Sequence, residues 1–433
     1  MTQPDADAAA APEAPTKGVL GRVLAVRDFR IALAGSFASN IGTWMQTVVI
    51  GAFVYSHTGS SAAVGFASFM QLGPMLFLPL VGGALASTMN LKTLLVGAQV
   101  EQLLASCALA FFLFADDPWM PGIYLCVLAV GIGNALNGPA WMSVLPDLVG
   151  IENIGGAISL NSAQMNAARI VGPAIGGVLY PWIGAGGVVA TNAGTYLFAI
   201  TSLSIITIPD VARAAGSSLR KLGAGFVSAR RDPVLGRILI GMSLFSLLSL
   251  PFVYQLPSVA AANLGMDIDG RAYGLLFAGF GIGAVSGAIS VSAFSIFANR
   301  SRTVMCGLIA FGVLLPTLAF LRVPWPAYPV LMLLGFAYHA VVTSLNTMLQ
   351  TRLSATERGP VLGLWSMAFG GIIPIGLIVA GWIADWTTIT VVLMYGGIAA
   401  VGLIVLLWRV DVPRAAPSAP AEADAEAGVV ETA

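Results

Sequence analysis

Long apolar segments separated by short polar ones recur along the whole chain. Each apolar segment is close to the ~20 residues that a helix needs to cross a hydrocarbon layer about 30 Å thick. Because lipid offers no partner to free backbone N–H and C=O groups, each segment is predicted to be helical. The predicted spans are 29–54, 62–86, 91–114, 120–144, 157–182, 187–208, 236–262, 272–297, 303–321, 327–349, 361–384 and 387–408. The pattern predicts an all-α membrane protein with twelve transmembrane helices.

The polar segments divide these spans into two sets of six. The two sets open alike, on Asp28-Phe29-Arg30 and on Asp232-Pro233, and equivalent junctions carry Glu152 and Glu357. Two repeats in the same direction are typical of transport proteins. The predicted regions are a cytoplasmic N-terminal tail (1–28), a six-helix bundle (29–208), a cytoplasmic linker (209–235), a second six-helix bundle (236–408) and a cytoplasmic tail (409–433). Both tails are rich in Ala, Pro and acids and are predicted to be disordered.

Composition excludes a soluble protein, because 57% of the residues are hydrophobic and only 9% are charged, against about 25% charged in soluble domains. The chain has no Gly-rich phosphate loop, no Cys/His cluster with metal spacing and no nucleophile motif. We therefore expect no enzyme, no cofactor and no metal site. The formal net charge is zero, and no basic patch suggests a nucleic-acid partner.

The basic residues predict the orientation of the chain. Of its 20 Lys and Arg residues, 17 fall on the side that holds both termini and the 209–235 linker, and Arg271 and Arg322 fall on the other. Lys and Arg concentrate in cytoplasmic loops. We therefore expect a multi-pass protein of the cell membrane, the inner or plasma membrane, with both termini in the cytoplasm.

Three patches resemble the major facilitator superfamily, and within it the branch of siderophore and drug exporters. The first is Asn137-Gly138-Pro139-Ala140-Trp141, followed by Leu145-Pro146-Asp147. The second, 168–177, resembles the Gly-Pro-x-x-Gly-Gly motif of antiporters, with Ala168 where the family has its first glycine. The third, at Gly82 and Gly83, resembles the signature loop of the family. The resemblance covers roughly 28–408 and implies two six-helix bundles that alternate access.

Two of these patches indicate conformational roles. Proline removes a backbone hydrogen bond and kinks a helix, and glycines leave the kink smooth. The residues predicted to form this motif are Gly172, Pro173, Gly176 and Gly177 in the fifth span, with Gly82, Gly83 and Lys92 in the signature loop. In that loop Ser87 stands where the family has an aspartate that helps to latch the cytoplasmic gate, which puts the usual latch in doubt. A third glycine repeat, Gly279, Gly283 and Gly287, predicts one smooth face of the eighth span.

Ionisable residues inside a bilayer are costly and are functional candidates by default. Glu101 and Arg169 are the two charged ones deep within the predicted spans, away from their ends, and they are close enough in depth to pair. In one hypothesis Glu101 takes and releases a proton while Arg169 tunes it. In the alternatives the two form a fixed salt bridge, Glu101 stays neutral, or Arg169 binds an anionic group of the substrate.

Polar residues at helical spacing give the candidates for a substrate cavity. The resemblance implies that the first, fourth, seventh and tenth helices line it. The candidates are Asn40, Trp44 and Thr47, then Asn134 and Asn137, then Tyr254 and Gln255, and finally His339, Thr343 and Asn346. Amides, hydroxyls, aromatic walls and few charges suit a neutral or amphipathic organic solute.

These features predict a secondary active transporter. The leading hypothesis is proton-coupled efflux of a drug, secondary metabolite or siderophore by a monomeric protein, and the alternative is proton-coupled uptake of a small organic solute. The expected partners are the small-molecule substrate, protons and the lipid bilayer.

Overall fold

The computed structural model describes residues 19–209, 218–268, 271–294 and 299–408, and every regular element within them is helical. Ten helices in this part are long and apolar enough to cross a membrane, and a bent pair within 61–88 makes eleven. One of the ten, Ile154–Ile205, has 52 residues and is broken at Gly184, whose φ of 66° and ψ of 177° are not helical. At 1.5 Å per residue it is about 78 Å long, enough for two crossings. The prediction of twelve transmembrane helices is confirmed.

The spans are numbered in chain order, and most observed ends lie within a few residues of the predicted ones. Their bounds are span 1, Arg27–Thr58; span 2, 61–88; span 3, Leu91–Leu113; span 4, Met120–Val149; span 5, 154–183; span 6, 185–205; span 7, 233–263; span 8, Arg271–Ala293; span 9, Arg300–Phe320; span 10, Ala327–Arg352; span 11, 355–386; and span 12, Ile389–Leu407.

Three spans are irregular helices. Span 2 contains a 3₁₀ turn at Gly73–Leu76, and span 11 widens into a π-helical turn at Met367–Gly371. Span 7 passes through π and 3₁₀ turns between Phe245 and Asn263. Proline lies in or next to each irregular stretch, and its missing N–H and its ring prevent a regular α-helix there.

Two additional helices lie in regions for which no regular structure was predicted from the sequence. Val19–Ala25 forms a short helix within the predicted 1–28 tail, and its Val23 is fully buried. Ser218–Arg231 forms a helix in the predicted 209–235 linker, where Gly225 packs against the backbone of Pro360 at the start of span 11. The predicted disorder of the two chain ends lies outside the described residues, at 1–18 and 409–433.

The predicted smooth face of span 8 is confirmed, and it packs on span 10. A Cβ placed at Gly283 or Gly287 would strike the carbonyl groups of Met332 and Phe336. Gly335 of span 10 faces back onto Phe280 of span 8. Small residues let these two backbones approach closely within the second half of the protein.

An even number of crossings puts Arg27 and Leu407, the ends of the described bundle, on one side, which we call the terminal side. The far side is the opposite one, where Thr58 and Trp386 end spans 1 and 11. Spans 1–6 form the first half and spans 7–12 the second. The halves meet through span 2 with span 11 and through span 5 with span 8, and the tightest of these contacts lie on the far side.

Asp232 joins the start of span 7 to the end of span 10 on the terminal side. It caps span 7 by accepting a hydrogen bond from the Val234 amide at 2.8 Å, and it accepts another from Arg352 Nε at 3.0 Å. Burial alone would raise its pKa, but the bonds from Val234 and Arg352 outweigh burial and lower the pKa of Asp232 below its ordinary value.

Replacing Asp232 by Ala is expected to cost about 1 kcal/mol of stability, the usual value of a lost N-cap, with the ion pair adding little because solvent screens it. Since the folded-state pKa is depressed, this contribution is present above the ordinary pKa and is lost as the pH falls through the folded value. The apparent melting temperature of the purified protein measures the effect. Asp117→Ala, at an exposed loop aspartate, is the control and should leave the melting temperature unchanged.

Candidate functional site

Arg169 lies in the middle of span 5, where the two halves face each other. Its guanidinium carbon lies 5.0 Å from the centre of the Trp44 ring in span 1, a distance at which a cation is attracted to an aromatic face. Its Nε is buried and has no hydrogen-bond partner. A buried donor without an acceptor is costly, so this position is suited to an incoming carbonyl, hydroxyl or anionic group.

The second half presents aromatic and polar groups to Arg169. Its charge interacts with Tyr254 in span 7 and with Tyr338 and His339 in span 10. The Tyr338 ring stacks on Phe369 at 6.3 Å, and Phe369 stacks on Trp365 at 6.4 Å, both in span 11. We call Arg169, Trp44, Tyr254, Tyr338 and His339 the central cluster.

Amide side chains connect spans 1, 4 and 5 beside this cluster. Asn40 Nδ2 donates to Gln164 Oε1 at 3.3 Å, and Gln164 Nε2 donates to Asn161 Oδ1 at 3.1 Å. The Trp141 indole N–H donates to the same Asn161 oxygen at 2.8 Å. These bonds fix the helix that carries Arg169 against its neighbours.

The structure distributes the remaining cavity candidates over several environments. Thr47 accepts a hydrogen bond from Gln71 Nε2 of span 2 at 2.7 Å. Gln255 is fully buried and donates to the Ser61 carbonyl at 3.0 Å, in the far-side contact between the halves. The other candidates are half-buried on spans 4 and 10, namely Asn134, Asn137, Thr343 and Asn346.

Glu101 lies away from the central cluster, inside the first half. Its Oε2 packs against Gly133 of span 4 and is buried without a hydrogen-bond partner. The carboxyl group interacts electrostatically with Tyr196 of span 6, whose hydroxyl lies 3.1 Å from Thr43 Oγ1. Among the described ion pairs none joins Glu101 to Arg169, so the fixed salt bridge, one of the alternatives from the sequence, does not form.

The Gly-Pro-x-x-Gly-Gly segment packs span 5 on two different neighbours. A Cβ at Gly172 would lie 2.6 Å from the Ile41 carbonyl and from Trp44 Cβ, and one at Gly176 would lie 3.1 Å from Met45. Both contacts are with span 1. Gly177 instead meets Gly274 of span 8, backbone against backbone, across the boundary between the halves. The buried Pro173 lies between these contacts.

The signature-loop residues hold together the terminal side of the first half. A Cβ at Gly82 would lie 3.2 Å from the Leu136 carbonyl oxygen of span 4, and Gly83 is half-buried. Lys92 Nζ donates to the carbonyls of Ser204 and Ile206 at 2.9 and 2.8 Å, which terminates span 6.

Sequence reasoning missed two parts of this arrangement. Gln46 accepts hydrogen bonds from Asn192 Nδ2 at 2.7 Å and from Ser106 Oγ at 3.1 Å, which forms a buried polar network between spans 1, 3 and 6. The amides were visible in the sequence, but the faces they share were not. Tyr338, beside the predicted His339, was missed because aromatic residues are common throughout the spans.

Comparison with known proteins gives the family. A family model described as transmembrane secretion effector matches residues 23–430. The chain belongs to this family, a group of major facilitator superfamily transporters. The multidrug efflux pump Tap of Mycolicibacterium fortuitum is 24% identical over 373 residues, which cover 82% of this chain and 88% of Tap. The enterobactin exporter EntS of Shigella boydii is 27% identical over 345 residues, covering 78% and 80% of the two chains.

Solved structures agree on the fold of this family member. A nucleoside transporter, NupG, superimposes with a TM-score of 0.71 at 14% identity and covers 89% of this chain and all of its own. A bacterial homologue of the lysosomal transporter Spinster, solved facing inward and unoccupied, gives a TM-score of 0.65 at 13% identity and covers 89% and 95% of the two chains. The chain is therefore a multi-pass transporter with the major facilitator fold, and the protein is not an enzyme.

Proposed function

We propose that the protein is a secondary active exporter of a small organic solute, driven by proton exchange. The central cluster binds the solute, and the two halves rock about it to expose it to either side of the membrane in turn. The observation that carries the proposal is the position of Arg169. It lies at mid-depth between the halves, against the Trp44 ring and opposite Tyr254, Tyr338 and His339.

The chemistry of the cluster favours an amphipathic substrate with an aromatic part and at least one hydrogen-bond acceptor. The aromatic rings offer stacking surfaces, while the unpartnered Arg169 Nε offers a donor. One cation among aromatic and amide groups suits a sugar phosphate poorly, since several phosphate charges call for several Lys or Arg residues.

Efflux through the cell membrane is supported by the distribution of charge and by the relatives. Seventeen of 20 basic residues fall on the terminal side by sequence, which supports a cytoplasmic position for that side. Tap and EntS are named as an efflux pump and an exporter. A protein closed on the far side then presents the central cluster to the cytoplasm, where an export cycle loads its substrate.

Proton exchange is assigned to Glu101, a carboxyl group in the middle of span 3. Because Glu101 lies in the first half and not in the central cluster, proton and solute do not compete for the same atoms. Coupling passes instead through the packing of span 3 on span 4, where Gly133 touches the Glu101 carboxyl.

Export predicts that cells expressing the protein accumulate less Nile red, a neutral aromatic dye with a carbonyl acceptor, than cells expressing Arg169→Ala, and that an uncoupler removes the difference. Loss of the guanidinium, whose Nε has no hydrogen-bond partner, is expected to reduce efflux by about tenfold or more, since one charge-assisted contact contributes about 1.5–3 kcal/mol. Nile red fluorescence in cells with matched protein levels measures both effects.

Controls separate the possible results. Arg322→Ala, a far-side arginine that donates to the carbonyls of its own helix end at 2.9 Å, should leave efflux intact. Greater Nile red accumulation in the expressing cells would support uptake instead. Efflux that is insensitive to the uncoupler would contradict proton exchange.

A further inference from the structure

Asp385, at the far-side end of span 11, bonds across the boundary between the halves to the start of span 2. Its Oδ1 accepts from the Ser61 amide at 2.6 Å. Its Oδ2 accepts from Ser60 Oγ at 2.5 Å and from the Ala62 amide at 3.1 Å. The amides belong to the first turn of span 2, where N–H groups have no partner within the helix. A carboxylate at this position is a helix cap supplied by a different helix.

Span 2 also has a cap of its own, so the contact with Asp385 is not needed to end the helix. Ser60 Oγ accepts from the Ala63 amide at 3.1 Å, which is the usual N-cap interaction. The Asp385 carboxylate adds the Ser61 and Ala62 amides to this set. What it contributes beyond a local cap is a connection between the two halves.

The face of span 11 that carries Asp385 is the face that packs on span 2. Leu377, Gly381 and Asp385 follow each other at intervals of four residues, which places them on one side of a helix. A Cβ at Gly381 would lie 2.6 Å from the Ser61 carbonyl, and Gly65 of span 2 meets the Leu377 carbonyl. Asp385 therefore completes a close contact between two backbones, at the end that is open to solvent.

The partners of the Asp385 carboxylate are the hydrogen-bond donors at the start of span 2. The residue borders an open cleft of about 510 Å³ on the far side, together with Tyr55, Asn263 and Arg322. The Arg322 guanidinium donates to the Ala319 and Leu321 carbonyls at 2.9 Å, within its own half. At the opposite end of span 2, the Ser87 hydroxyl donates to Ala84 of its own helix at 2.7 Å and makes no comparable bridge.

We infer that Asp385 is a positioning residue that holds the far side closed, by capping span 2 from the other half of the protein. Opening the far side separates span 11 from span 2 and breaks three hydrogen bonds to one carboxylate. The inference rests on the proposed function, because such a contact controls transport only in a protein that alternates between two states. Asp385 thus sets the balance between the far-side-closed and far-side-open states.

The test measures the distance between the halves directly. Spin labels are attached to Ala115→Cys in the first half and Val323→Cys in the second, both exposed on the far side, after Cys107, Cys126 and Cys306 are replaced by Ser. Pulsed electron paramagnetic resonance gives the populations of short and long distances in liposomes. Asp385→Ala is expected to raise the ratio of long to short distances about fivefold, the order of magnitude of one lost N-cap.

We call the contact of Asp385 with the start of span 2 the latch. A double-mutant cycle distinguishes the latch from a general effect on packing. Ser60→Ala removes one donor and should raise the same ratio by less, and adding it to Asp385→Ala should change little, because both act on one contact. Asp385→Asn keeps the shape and one acceptor and should give an intermediate ratio. Thr387→Ala is the matched control, since its hydroxyl bonds within span 11, and it should match the parent protein.

The outcomes separate the latch from the proposed function. If the parent protein shows both distances but Asp385→Ala and Asp385→Asn leave the ratio unchanged, the latch is wrong and alternation stands. Additive effects of Ser60→Ala and Asp385→Ala would equally overturn the latch. If the parent protein and every variant show one fixed distance under an imposed proton gradient, the proposed alternating cycle itself is wrong, and the latch with it.

Discussion

Replacing Gly177 with valine is expected to lower transport by about a hundredfold, although the helix that carries it stays intact. Gly177 and Gly274 touch backbone to backbone on the far side, so no side-chain rotation can make room for a branched side chain. Overpacking costs about 1–3 kcal/mol and occasionally more. Because the contact between Gly177 and Gly274 is rigid, we expect its cost to lie at the upper end of this range. At 1.4 kcal/mol per factor of ten, about 3 kcal/mol against the far-side-closed state produces that loss.

The physical reason concerns one state of the cycle, so the measurement should report states as well as rates. Nile red efflux gives the rate, and the spacing of spin labels at Ala115→Cys and Val323→Cys gives the population of the closed state. Gly177→Val should reduce both. Gly274→Val should do the same from the other half, because a Cβ at Gly274 meets the backbone of Gly177.

Gly194→Val in span 6 is the matched control. It places the same branched residue in a membrane helix, but a Cβ there has no neighbouring atom within 4 Å. Its transport should stay close to that of the parent protein. If Gly177→Val transports as well as Gly194→Val, the contact between spans 5 and 8 does not form during the cycle.

The fold could be predicted from the sequence because the bilayer constrains it strongly. A segment such as 91–114 has only one way to satisfy its backbone in lipid, and the observed helix Leu91–Leu113 differs from it by one residue. The break between spans 5 and 6 could be predicted as well, because the apolar run there is too long for one crossing. The helix Ser218–Arg231 could not, since its polar composition resembles that of a linker.

The site was harder to predict, because depth in the membrane does not say which way a side chain faces. Glu101 and Arg169 both lie near the middle of their helices, yet the first packs on Gly133 and the second on Trp44. The two side chains point in different directions around their helix axes. In a nearly uniform apolar span, no sequence pattern reveals that direction. Gln255 was placed in the cavity for the same reason, and the structure puts it against Ser61.

The glycine motif shows what a local pattern can and cannot say. The segment from Gly172 to Gly177 predicts a smooth, kinked helix, and the structure has a closely packed one. The sequence could not assign Gly172 and Gly176 to span 1 and Gly177 to span 8. Through Gly172 and Gly176, span 5 packs firmly against span 1 within the first half. Through Gly177, another face of span 5 contacts the second half. Arg169, one turn before Gly172, is thereby held at the boundary.

Replacing Glu101 with Gln is expected to abolish proton-driven efflux while leaving the protein folded. Glutamine reproduces the shape and neutrality of the protonated carboxyl group, so it fixes one of the two states that proton exchange requires. The carboxyl has no hydrogen-bond partner at Oε2 and contacts Gly133 of span 4. Since no salt bridge to Arg169 has to be broken, the substitution leaves the central cluster undisturbed and substrate binding should be retained.

The expected result is therefore a split between two measurements on the purified protein in liposomes. Uphill transport driven by an imposed pH gradient should fall to the background of protein-free liposomes, because a glutamine cannot exchange a proton, whereas binding of the dye should stay within about twofold, less than 0.5 kcal/mol. Glu152→Gln, an exposed glutamate at the terminal side, should change neither. Undiminished coupling in Glu101→Gln would remove Glu101 as the proton site. A parallel loss of binding would instead connect Glu101 to the central cluster, because a carboxyl that acts only through the packing of spans 3 and 4 leaves the contacts of Arg169 and Trp44 with the solute unchanged.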